Sequence, residues 1–214
     1  MNRRRSIRAA LAPAVVGIGA LLCGAGGVRA APVTVQVTAG GGAPAVDAVV
    51  VFEPRDRVPP PAHADAIIDQ IHKRFVPHVT VIRTGTSVTF PNSDRIRHQV
   101  YSFSPAKVFS MKLYAGSPKR AVVFDKPGLV VLGCNIHDTM LAFVLVVNTP
   151  YFAKIPASGT ASFDLPPGRY SMRVWDEALA APVPARPVVV AAAPLQLSIA
   201  LDLAGTHDPV AAWP

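Results

Sequence analysis

The chain has 214 residues, half of them hydrophobic, and its 22 Pro and 15 Gly favour many short strands over long helices. The formal charge of +8 overstates its basicity, because residues 1–30 hold five Arg and no acid, leaving 16 basic against 13 acidic residues beyond them. No dense Lys/Arg run interleaved with aromatics remains there, which excludes a nucleic-acid-binding reading.

Residues 1–30 read as a secretory signal. Arg3-Arg4-Arg5 leads into an apolar stretch from Leu11 to Leu22, and Val28-Arg29-Ala30 has the small-x-small pattern of a cleavage site. The stretch is short for a membrane span and is broken by Pro13 and several Gly. Leu22 before Cys23 does not fit a lipidation site. Cleavage near Ala30 and delivery to the periplasm are therefore expected, with Cys134 as the one Cys left. An odd Cys outside the cytoplasm is reactive or a ligand. No later stretch is long and apolar enough to span a bilayer, so the processed chain is expected to be a soluble monomer.

Val33–Val37 alternates like a strand, Gly40-Gly41-Gly42 marks a turn, and Val46–Phe52 reads as a second strand. Pro59-Pro60-Pro61 marks a boundary. The pattern then becomes denser. Strands are expected at Ala66–Gln70, Phe75–Ile82, Ser87–Phe90, His98–Phe103, around Val108, and at Ala121–Phe124. Gly128–Leu132 and Leu141–Val147 are buried, Val- and Leu-rich strands. After Thr149-Pro150 come Ala161–Leu165, a turn at Pro166-Pro167-Gly168, Arg169–Trp175, Val188–Val190 and Leu195–Leu203. Short strands with turn residues between them predict an all-β sandwich. The expected organisation is a signal at 1–30, a central unit at 66–148, flanking halves at 31–58 and 149–205, and a loose tail at 206–214.

Between the two buried strands lies Cys134-Asn135-Ile136-His137-Asp138-Thr139-Met140, a tight loop with a thiol, an imidazole and a thioether. His98 follows the turn Pro91-Asn92-Ser93-Asp94. Two His, a Cys and a Met form the ligand set of a mononuclear type 1 (blue) copper site, with a long axial Met. Two residues between Cys134 and His137 let the loop turn back on one ion, and two more place Met140 at the base of the next strand. A structural zinc site wants four Cys or His ligands, and Met is a poor partner for it. A buried, inert Cys is the blander reading, and Met140 alone carries least weight, since Met beside a strand is usually core filler. His63 and His207 fall in loop and tail sequence, His72 and His78 flank a strand, and Met111 and Met172 read as core. Ser102 and Ser104 lie near His98, but nothing marks either as an activated nucleophile.

With these residues assembled, the chain resembles the cupredoxins, and more closely the proteins labelled methylamine utilization or plastocyanin-like. The matching text is Phe75-Val76-Pro77, Gly85-Thr86, Phe90–Asp94, His98–Ser104, Cys134–Asp138 and Thr149–Ala153. The short Cys-to-Met loop is similar to that of amicyanin. The family often carries Trp where this chain has Thr139. The resemblance implies a cupredoxin-like Greek-key β-sandwich, with His98, Cys134, His137 and Met140 holding one copper ion. It implies an electron carrier, not an enzyme, that exchanges single electrons with an exported c-type cytochrome or dehydrogenase. It also implies that His98 is enclosed, that His137 faces solvent, and that a partner docks on the apolar surface around the Cys134 loop. The alternative is a protein that binds or delivers copper without a redox role, and a metal-free interaction module is the third reading. The flanks, Val33–Phe52 and Gly159–Trp175, resemble a carboxypeptidase-regulatory-like β-sandwich.

Overall fold

The computed structural model describes residues 30–56, 59–60, 63–203 and 213. The expected signal and tail lie outside the described residues, apart from Ala30 and Trp213. Among the described residues the structure is all β, with one short 3-10 turn at Gly40–Gly42. The first strands are β1 (Ala31–Thr38), β2 (Val49–Pro54), β3 (Asp65–Ile67), β4 (Asp69–Ile71), β5 (Arg74–Val76), β6 (Val79–Arg83) and β7 (Thr86–Thr89). Next come β8 (Tyr101–Ser104), β9 (Lys107–Ser110), β10 (Val122–Phe124), β11 (Gly128–Gly133) and β12 (Leu141–Val147). The last are β13 (Phe152–Lys154), β14 (Thr160–Leu165), β15 (Gly168–Trp175), β16 (Arg186–Val190) and β17 (Leu195–Ala200).

Among the described residues there are five sheets, the two-stranded β4-β5 hairpin and four larger ones, and three apolar clusters hold them together. The order β14-β1-β17 faces β13-β2-β15-β16 across a core that includes Val33, Val35, Phe52, Phe163 and Met172. The order β6-β12-β11-β8-β9 faces β10-β7-β3 across a second core that includes Phe75, Phe90, Val130, Leu132 and Val144. A third cluster, with Val49, Val51, Phe143, Leu145 and Trp175, joins the two middle sheets back to back. Side chains alternate across a strand, so β12 serves two cores at once. Ala142, Val144 and Val146 face the second core, while Phe143, Leu145 and Val147 face the third. That explains why β12 is a continuous apolar run rather than an alternating one.

The chain crosses repeatedly within the second sandwich. It places β6 in one sheet, β7 in the other, β8 and β9 back in the first, β10 in the second, and β11 and β12 in the first. This crossing between two mixed sheets makes a cupredoxin-like Greek-key sandwich. Two expected strands are each divided. Ala66–Gln70 splits into β3 and β4, which join different sheets on either side of buried Ile68. Phe75–Ile82 splits at Pro77, which has no N–H to give to a ladder. Its halves pair with β4 and β12. The second strand is shifted, running Val49–Pro54 in place of Val46–Phe52. His98 lies before β8 and joins the sheet system only by an isolated bridge to Tyr114.

Candidate metal centre

The site lies where two connections meet at one end of the second sandwich. One is the segment from Pro91 to His98. The other is the loop from Cys134 to Met140, between β11 and β12. The strand pair is antiparallel, with Gly133 opposite Leu141, so the loop must reverse within a few residues. The Met140 N–H donates to the His137 carbonyl at 2.9 Å and closes that turn. Gly133, just before Cys134, pairs with Tyr101, and a Cβ there would come within 2.7 Å of the Tyr101 ring. A larger residue there would have to push the Tyr101 ring aside.

One ligand atom each from His98, Cys134 and His137 lie within 4.8 Å of one another. Cys134 Sγ is 3.9 Å from His98 Nδ1, and the two imidazole centroids are 5.1 Å apart. His98 is fully buried, Cys134 is 4% exposed, and His137 is half-buried. Met140 is 1% exposed and belongs to the same apolar cluster as Cys134. The other His residues are not part of the group. His63, His72 and His78 are exposed, and His78 contacts the Leu141 carbonyl and Glu177 instead. His207 is outside the described residues. Met172 is buried in the first core, and Met111 packs against the second. Ser102 and Ser104 are buried on β8, where Ser104 Oγ accepts the Val131 N–H.

Asp94 is the residue that sequence reasoning missed. Its Oδ2 lies 2.8 Å from His98 Nε2, which donates to it. That bond selects the tautomer whose Nδ1 lone pair faces Cys134. The same carboxylate accepts the backbone N–H groups of His72 at 2.7 Å and Lys73 at 2.8 Å. Burial opposes its ionisation. The Lys73 N–H, the His98 ring and the His72 N–H outweigh that and hold its pKa below the ordinary carboxylate value. His72 and Lys73 form the β4–β5 turn with φ of 53° and 58°. Two-residue hairpins need such values and normally use Asn-Gly, since other residues lose about 1–2 kcal/mol each there. The two bonds to Asp94 offset that cost.

Asn92 fixes the rest of the segment. Its amide donates to the Ile96 and Tyr114 carbonyls, both at 2.9 Å, and its Oδ1 accepts the Asp94 N–H. Gln70 and Tyr114 continue the network at 2.6 Å, and the Tyr114 hydroxyl donates to the Phe90 carbonyl. Burial, partly offset by the Gln70 amide, pushes the Tyr114 phenol up to about 12, so it remains a donor at neutral pH.

These residues fit a metal ion. His137 Nδ1 is buried and has no hydrogen-bond partner. Leaving such an atom unsatisfied costs roughly 1–3 kcal/mol, and a bound cation would satisfy it. Metal–nitrogen and metal–sulfur bonds of about 2.0–2.3 Å set ligand atoms about 3.5–4 Å apart, close to the separation of Sγ and His98 Nδ1. The donor chemistry is soft: one thiol and two imidazoles, with a buried thioether at the end of the same loop.

No protein-family model and no curated protein matches the chain. Among solved structures, a copper-containing nitrite reductase from Thermus scotoductus SA-01 overlaps 39% of this chain and 22% of its own, at 24% identity and a TM-score of 0.37. A purple cupredoxin from Nitrosopumilus maritimus overlaps 39% of this chain and 99% of its own, at 24% identity and a TM-score of 0.34. A reduced amicyanin overlaps 47% of this chain and 99% of its own, at 16% identity and a TM-score of 0.35. The strand pairing and the clustered ligand atoms, not these partial overlaps, define the unit.

Proposed function

We propose that the chain is an exported type 1 copper protein that carries single electrons between redox partners, and that it is a carrier rather than an enzyme. One observation carries this reading: a buried thiol and two imidazoles converge on one space, and His137 Nδ1 has no protein partner. Copper bound there would supply a one-electron couple that thiolate, imidazole and thioether all tolerate. The chain's own task is to keep those donors in place through the cycle. Asp94 holds the His98 ring, the end of β11 holds Cys134, and the Met140 N–H closes the loop on His137. Met140 would be the fourth residue to hold the ion in this reading, and the Cys-to-Met spacing is of the amicyanin type.

The copper unit is read as residues 66–148, set between flanking halves at 31–58 and 149–205. β1 and β2 pair with β14, β17, β13 and β15, not with the strands between them, which favours that division. The basic, apolar N-terminus favours export to the periplasm, and no helix among the described residues is long and apolar enough to cross a membrane. An exported c-type cytochrome or dehydrogenase is the partner that a one-electron carrier needs.

Voltammetry of the copper-loaded chain tests the redox role. A reversible one-electron wave is expected. A colourless site that holds Cu(I) and gives no wave would assign the chain to copper binding or delivery instead.

A further inference from the structure

Beside the metal centre lies an open cleft of about 540 Å³, lined by His72, Lys73, Ser93, Asp94, Arg95 and Ile96. Its walls are the β4–β5 turn and the segment leading to His98. Lys73 and Arg95 line it, their chain neighbours Arg74 and Arg97 are exposed beside it, and none of the four forms an ion pair among the described residues. The one acid in the cleft is already engaged, since Asp94 accepts from three N–H groups. The loop across the site adds a single acid, Asp138.

Large apolar side chains are exposed at the same end. Ile96 is 42% exposed and lies two residues before His98, and Ile136, 49% exposed, precedes His137. Leu113, 49% exposed, precedes Tyr114, whose backbone bridges His98. An apolar centre with a charged rim is the anatomy of a transient protein interface. The cations are exposed on an open cleft rather than aimed inward from buried positions, which suits an extended surface better than a small enclosed anion.

We propose that this cationic flank, Lys73, Arg74, Arg95 and Arg97, is a docking surface for a protein partner whose contact face is rich in carboxylates. It rests on the carrier reading for its purpose, and it assigns the partner's charge. Asp94 joins the flank to His98, so the docking surface and the ligand are braced by one side chain. Complementary charge speeds encounter and sets orientation, while the small apolar contact permits fast release.

The test needs no metal, so its failure and the failure of the copper reading are separable. The metal-free, processed full-length chain, labelled with 15N, is titrated at low salt with poly-L-glutamate, and amide shifts are followed. Shifts centred on residues 72–74 and 95–97 are expected. Arg95→Glu combined with Arg97→Glu should weaken binding by roughly tenfold or more at low salt, with most of the difference lost at high salt. Arg95→Gln with Arg97→Gln should give a smaller loss in the same direction, and covers the case in which reversal disturbs the fold. Arg186→Glu, at an exposed position at the start of β16, should stay within about twofold of the parent. Three results would each overturn the proposal: shifts spread evenly over the surface, unchanged binding in both double variants, or citrate of equal carboxylate concentration binding the same amides as tightly. The last would make the cleft a small-anion site.

Discussion

The two sandwiches are built from the same kinds of strand but differ in what they bury. The core between β14-β1-β17 and β13-β2-β15-β16 is apolar but for the Tyr170 hydroxyl, with Phe52 edge-on to Phe163 at 4.9 Å, and the chain around it buries Thr149, bonded to the Phe52 carbonyl, and Asp176. The second core includes Cys134 and Met140, and the chain around it buries Gln70, Asn92, His98, Ser102 and Ser104. A buried polar group destabilises unless it is paired. Asn92 and His98 are paired to fix one segment, while His137 Nδ1 is left unpaired. The second sandwich gives up part of its stability to bring His98, Cys134 and His137 together.

Substitutions on either side sharpen this contrast. Cys134→Ser should have the largest effect, removing the softest donor and with it the intense visible band and most of the copper affinity. Its melting temperature should stay near that of the metal-free parent, and circular dichroism with a copper titration would show both. Phe52→Ala should do the reverse. Truncating a buried Phe costs about 3–5 kcal/mol, read by denaturant unfolding, while the folded fraction keeps an unaltered copper spectrum. If the band shifts with Phe52, the two interiors are not separable.

Asp94→Ala should fall between the two. Loss of the partner that orients a metal-bound His lowers metal affinity by about 10–100-fold. The change also frees two N–H groups in a left-handed turn, so unfolding should shift as well. Asp94→Asn, which keeps an acceptor, should recover part of both losses. Met140→Gln should have the smallest effect on occupancy: copper still binds, and the potential falls, as voltammetry would report. Complete loss of Cu(II) binding with the fold intact would contradict an axial role for Met140.

The strands were legible in the sequence because they are local patterns, and so was the short spacing of Cys134 and His137, which the structure brings together with His98. Gly128–Leu132 and Leu141–Val147 could be read as buried strands, and the loop between them carries Cys134, His137 and Met140 at short spacing. Asp94 was not legible as a brace, because its N–H donors are 22 and 21 residues away, across a turn without the usual Asn-Gly signal. The turn residues Asn92, Ser93 and Asp94 were visible, and side chains of that type often bond nearby backbone. Nothing in the sequence says which distant N–H groups they would take. The division of β12 between two cores was hidden for the same reason. An unbroken apolar run reports burial on both faces, but not which sheet covers each.

The most direct test of the copper centre is the visible spectrum of the processed chain as Cu(II) is added. The convergence of Cys134, His98 and His137, with Met140 in the same apolar cluster as Cys134, predicts an intense band that grows to one equivalent and is absent in Cys134→Ser. One equivalent of copper bound with no intense visible absorption would contradict a thiolate-ligated type 1 site.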